Sequence, residues 1–138
     1  MATEKRNIAG NYVYRSLLNE PVLGQDFYRL KFGEGLMVIR QHESGEITGD
    51  FDMGDSYKMT LQAKLTEENG RHYLRMTAFG ITDAPTAGWI YDYAGELMPL
   101  WPKAVGQIQT ITGSVIRTVD HGTAKAGVTA TFYMTKRD

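Results

Sequence analysis

The chain has 138 residues, of which 42% are hydrophobic and 22% charged, and its net charge is −1. That length predicts one domain with a core of its own, and the charge balance offers no basic excess to draw in a phosphate backbone, so nucleic acid is not expected as a partner. With no cysteine present, disulfide frameworks, thiolate nucleophiles and cysteine-ligated metals are excluded.

The opening, MATEKRNIAG, lacks the apolar stretch of a secretory signal, and no apolar run approaches membrane-span length. The expectation is a cytoplasmic protein without a membrane partner, although a leader already removed would leave the same reading. Residues 1–7 are polar and are expected to be a flexible N-terminus, with residues 8–138 forming the domain. From Ile8 the chain alternates. Tyr12, Tyr14 and Ser16 share one face, which predicts a strand. The segment NEPVLGQ is a loop. Phe27 to Phe32 alternates again, Gly33 and Gly35 predict a bulge or tight bend, and Leu36 to Gln41 resumes the strand. After a turn at HESGE, Ile47, Gly49, Phe51 and Met53 share a face.

Tyr57 to Leu65 shows the cleanest alternation, with Met59 and Leu61 on the apolar side. An Asn-Gly turn leads into His72 to Ile81. Trp89 to Met98 and Ile108 to Val119 read as strands, separated by PLWPKAVGQ, in which two prolines flank Trp101. Val128 to Thr135 closes the chain. No window carries a capped helical stripe. The pattern predicts an all-β fold, an antiparallel up-and-down barrel of roughly eight strands, since closure removes the exposed edges and leaves room for one small ligand. A two-sheet sandwich with a packed core fits the same periodicity.

Three pieces resemble the calycin group of barrels, which includes lipocalins, fatty-acid-binding proteins and avidins. IAGNYVY resembles their Gly-x-Trp first strand, with Gly10 and Tyr12 at the Gly and Trp positions. GEITGDF, residues 45–51, and AGWIYDYAG, residues 87–95, resemble two avidin strands. The resemblance implies a ligand barrel. It does not imply biotin, because the polar biotin-binding positions fall on Tyr14, Phe51 and Met53, which cannot repeat those hydrogen bonds. The segment WIYDY…LWP…GSVIRT…H is also similar to a group of short bacterial proteins. That similarity implies a shared fold and supplies no reaction.

The candidate site follows from the faces. Trp89, Tyr91 and Tyr93 fall on one face and form either a stacking wall for a hydrophobic ligand or plain core. Tyr14, Phe51, Met59 and Leu61 are expected to line the same cavity, with Trp101 in its proline-braced loop covering one end. Tyr12 is expected to plug the closed end. Asp92 and Glu96 fall on the opposite, solvent face; a one-residue change of register would bury Asp92 beside Arg117. Arg117 is either an anchor for a carboxylate or enolate or an exposed rim residue. His121 is a candidate general base in a turn. The histidines show no HxH or HExxH spacing, so no metal is expected. Phosphate-binding Gly-rich loops and a nucleophile elbow are absent, and no cofactor is expected.

Three functions compete. The first is binding of a small, largely hydrophobic molecule inside the barrel. The second is a cofactor-independent isomerase or cyclase, for which Tyr91, Arg117 and His121 are the catalytic candidates. The third is an oligomerising module whose aromatic strands form a homo-oligomer interface.

Overall fold

A computed structural model describes residues 6–138. Eight strands form a closed barrel in which each is hydrogen-bonded to its sequence neighbours. They are β1 Gly10–Leu18, β2 Lys31–Gln41, β3 Ile47–Asp52, β4 Lys58–Glu68, β5 Arg71–Gly80, β6 Ile90–Leu97, β7 Thr110–Arg117 and β8 Thr129–Lys136. All pairs are antiparallel. Pairing of β1 with β8, with Tyr14 opposite Met134, closes the sheet on itself. That ladder excludes the sandwich and leaves no free edge.

Local chemistry sets the turns. Asn69 and Gly70 adopt φ of 53° and 79° between the paired residues Glu68 and Arg71. This is the left-handed two-residue hairpin that Asn-Gly favours. The expected bulge is also present. Between β1 and β2 the register shifts after Ser16, which pairs with Gly33, whereas Leu17 pairs with Lys31. Phe32 is the extra residue, and both Phe32 and Gly33 therefore face the barrel interior.

One expected strand start is corrected. Phe27–Leu30 forms a single helical turn, α1, because the Asp26 carboxylate accepts a hydrogen bond from the Tyr28 backbone N–H at 2.9 Å. The alternation there was too short to distinguish a strand from a capped turn. The strand begins at Lys31 instead.

The two ends of the barrel differ. Loops following β1, β3, β5 and β7 gather at one end, and loops following β2, β4 and β6 gather at the other, together with Arg6 and Asp138. The second end is plugged. Ile8 and Tyr12 are fully buried there. The Tyr12 hydroxyl donates to the Ile8 carbonyl at 2.7 Å and accepts from Gln109 at 2.8 Å. Burial pushes the Tyr12 phenol pKa up, partly offset by the Gln109 hydrogen bond. Tyr12 is thus the expected plug. The expectation of a flexible segment over residues 1–7 falls largely on residues 1–5, which lie outside the described ones. Arg6 accepts from Gln41 through its carbonyl at 3.1 Å.

Above the plug, Tyr14, Phe51, Tyr93 and Phe132 form an aromatic layer. Ring centroids are 4.9 Å apart for Tyr14–Phe51 and 5.4 Å for Tyr93–Phe132, both edge-to-face. The Phe132 ring occupies space that Gly95 leaves open; a Cβ on Gly95 would lie 2.8 Å from its tip. The outward face carries ion pairs such as Arg40–Asp50 across β2 and β3, beside exposed apolar residues such as Leu36 and Val38. Among the described residues, no helix is long and apolar enough to cross a membrane.

Candidate functional site

A cavity of about 290 Å³ opens at the end opposite the plug. Its deep part is lined by Tyr14, Phe51, Met59 and Tyr93, each at most 3% exposed. Burial raises the phenol pKa values of both Tyr14 and Tyr93, so both hydroxyls stay protonated and uncharged. Ser16 lies beside them, and its hydroxyl donates to the Gly33 carbonyl at 3.4 Å. The mouth is formed by Trp89, Tyr91, Arg117 and His121, with Phe32, Met53 and Tyr57 completing the wall.

The period-two reading of β6 is correct at its centre. Tyr91 and Tyr93 point inward, and Trp89 precedes them at the rim. Asp92 points outward, where it accepts a hydrogen bond from Thr77 at 2.7 Å. It therefore does not pair with Arg117.

Register assembles the polar part of the mouth. Tyr91 pairs with Arg117 across β6 and β7. The Arg117 Nε donates to the Tyr91 hydroxyl at 3.1 Å. The same hydroxyl lies 2.6 Å from Nε2 of His121. The imidazole is stacked on the Trp89 indole, with centroids 4.0 Å apart and planes at 17°. His121 is held in a tight turn by reciprocal backbone hydrogen bonds with Ala124, both 3.0 Å. A second Arg117 bond, from Nη1 to the Lys125 carbonyl at 3.1 Å, ties the same loop to the barrel.

Desolvation and then the Arg117 charge lower the His121 pKa below its ordinary value of 6.5. At neutral pH the ring is uncharged, so Nε2 can accept the Tyr91 hydroxyl proton while Nδ1 keeps its own. This has a sign. Folding with His121 neutral contributes stability that is intact above pH 6.5 and is lost as pH falls from there through the lower folded pKa. Wild-type protein should lose thermal stability over that acidic window. His121→Gln should flatten the loss, and an equal loss in both would refute the assignment.

The β5–β6 loop positions Trp89. Thr86 is fully buried, and its hydroxyl donates to the Lys58 carbonyl at 2.6 Å while accepting from the Ile81 N–H at 3.1 Å. Gly80 donates to the Trp89 carbonyl at 2.8 Å. The loop crosses Gly80 so closely that a Cβ there would sit 1.6 Å from the Thr86 carbonyl oxygen.

Two expected lining residues do not line this cavity. Leu61 is buried, but it lies two residues along β4 from Met59, roughly 7 Å toward the plug, and packs near Gly49. Trp101 is 73% exposed. It sits in the loop after β6, at the plugged end, where Gln107 bonds its N–H. The prolines place it in a loop but not over the mouth. Conversely, Phe32, Met53 and Tyr57 line the cavity and were not among the candidates. Strand parity could have found them. In a closed up-and-down barrel, successive connections alternate ends, so residues beside the first, third, fifth and seventh connections share the mouth. His42 and His72 fall at the plugged end by the same rule, leaving His121 as the mouth histidine. Among the described residues, no group of three or more His, Asp or Glu side chains gathers as a metal site would need.

These features define a class: a closed eight-stranded antiparallel up-and-down barrel, plugged at one end and hollow at the other. Compared with models of protein families, with curated proteins and with solved structures, the chain matched none.

Proposed function

We propose that the protein is a calycin-like barrel that binds a small, largely hydrophobic molecule in its cavity. The observation that carries the reading is the hollow at the mouth end, about 290 Å³, where the rest of the interior is packed. Core faces of barrels normally fill with side chains, and ligand sites are concave, mostly apolar and furnished with a few convergent polar groups. Here the walls are aromatic rings and methionines, and the polar groups gather at the rim. Aromatic walls favour a flat or ring-bearing molecule, since offset and edge-on contacts with such rings are favourable.

The test is thermal unfolding in the presence of a panel of apolar small molecules, together with native mass spectrometry of protein purified from its own host. A ligand at 100 times its Kd should stabilise the fold by about 2.7 kcal/mol. Absence of any shift across the panel, with no retained molecule, would contradict the reading.

One observation favours a second reading, a cofactor-independent isomerase or cyclase. The Tyr91 hydroxyl bridges a guanidinium and an uncharged imidazole. In that arrangement it can pass a proton to His121 and take one from a substrate carbon or oxygen, then reverse the transfer. If this occurs, Tyr91→Phe should leave binding within a few-fold and lower turnover by about 10²- to 10⁴-fold. Equal turnover in variant and wild type would remove Tyr91 from the chemistry.

A further inference from the structure

We infer that the molecule held in this barrel is an amphipathic monoanion, with its apolar body inside and an oxyanion, a carboxylate or enolate, against Arg117 at the mouth. The inference rests on the cavity being a ligand site and adds the chemical class of the ligand.

No Asp or Glu lines the cavity. With His121 uncharged, Arg117 is the one charged side chain in the lining. The ion pairs among the described residues are Arg15–Glu34, Arg40–Asp50, Arg71–Glu96 and His72–Glu67, and none involves Arg117. The three arginines in these pairs lie on the outer surface, each facing a carboxylate on a neighbouring strand. Arg117 instead faces inward, its guanidinium carbon 4.9 Å from the Phe32 ring centroid and 5.7 Å from that of Tyr91. A partly desolvated cation between two rings, without a counter-charge, is costly unless something anionic completes it.

The hydrogen-bond inventory agrees. Guanidinium offers five N–H donors. Nε is used by Tyr91 and one Nη1 hydrogen by the Lys125 carbonyl. The second Nη1 hydrogen and both on Nη2 have no partner among the described residues. The two bonds that are made leave three of the five donors, both on Nη2 and one on Nη1, for an incoming group. Paired guanidinium donors can hold an oxyanion through two parallel N–H···O bonds, the geometry for which arginine is better suited than lysine. The Tyr91 hydroxyl is already engaged by Arg117 Nε and His121 Nε2. A ligand with two separated charges fits poorly, since the deep wall of Tyr14, Phe51, Met59 and Tyr93 offers no cation.

The experiment uses two fluorescent probes with the same aromatic framework: 8-anilinonaphthalene-1-sulfonate, which is anionic, and N-phenyl-1-naphthylamine, which is neutral. Each is titrated into wild type, Arg117→Gln and Phe32→Glu. The expected result is tighter binding of the anionic probe to wild type. Arg117→Gln should weaken it by about 10- to 100-fold, the range for a lost hydrogen bond to a charged group, and leave the neutral probe within a few-fold. Phe32→Glu keeps Arg117 but supplies a carboxylate beside it, and should remove the anionic preference in the same way. It serves as the deciding variant if Arg117→Gln does not fold. A medium-chain carboxylate should displace either probe from wild type better than the matching alcohol. Equal affinity of wild type for both probes, or parallel weakening of both in the variants, would overturn the anionic assignment while leaving the cavity as a neutral site. If neither probe binds wild type, the cavity reading itself falls, and this inference with it.

Discussion

Phe132→Ala should destabilise the barrel by about 3–5 kcal/mol, the range for removing a buried aromatic ring when its surroundings cannot collapse. The ring is fully buried, stacks against Tyr14 at 5.8 Å and meets Tyr93 edge-on at 5.4 Å. Its neighbours are fixed on strands whose ladders run right around the barrel, so little can move in to fill the void. Gly95, beside the ring tip, contributes no side chain that could do so. A shift of the urea midpoint at unchanged slope would report the loss, and a thermal midpoint lower by ~10–20 °C would accompany it. The functional consequence is specific. Phe132 packs against Tyr14 and Tyr93, which line the cavity, so its removal should enlarge the hollow. Among bound molecules, longer ones should gain affinity relative to the wild-type preference. A cost under about 1 kcal/mol would mean that the aromatic layer is not packed as described.

Gly80→Ala is expected to be nearly as damaging, through overlap rather than loss. The added Cβ would meet the Thr86 carbonyl oxygen at 1.6 Å and its carbon at 2.6 Å, both backbone atoms. No rotamer change relieves a backbone clash, so the β5–β6 loop must lift. Lifting it breaks the bond from Gly80 to Trp89 and strains both Thr86 bonds, whose donor and acceptor partners are backbone groups. The expected cost is about 3 kcal/mol or more, at the upper end for overpacking. Trp89 should also leave its stack on His121, so its emission should shift to longer wavelength even in the folded variant. An alanine variant with wild-type stability and emission would contradict the loop placement.

Much of the barrel was legible because its strands are half-buried. Alternation in Tyr57 to Leu65 and in Trp89 to Leu97 placed Met59, Tyr91 and Tyr93 inside and Asp92 outside, as the structure has them. The Asn-Gly pair and the glycines of β2 marked a hairpin and a bulge for stereochemical reasons that need no tertiary context. What periodicity cannot supply is cross-strand register and the assignment of loops to ends. The Tyr91–Arg117–His121 cluster depends on β6 pairing with β7 in one register, and a slip would have separated it. Trp101 was misplaced for the second reason: two prolines mark a loop, but only counting strands shows that this loop lies at the plugged end. Phe32 was missed because a bulge, not alternation, turns it inward. Asp26 capping α1 competed with a strand pattern of similar length and prevailed locally.

The two tryptophans provide a direct test because the barrel separates them. Trp89 lines the mouth cavity, whereas Trp101 is 73% exposed at the other end. Trp101→Phe leaves Trp89 as the sole indole, and Trp89→Phe leaves Trp101. Acrylamide quenching of each variant should be measured with and without the most stabilising apolar compound. The account predicts that the compound shields Trp89 and leaves Trp101 quenching unchanged. Shielding of Trp101 alone, or unchanged quenching of Trp89 under a compound that stabilises the fold, would contradict a ligand site in this cavity.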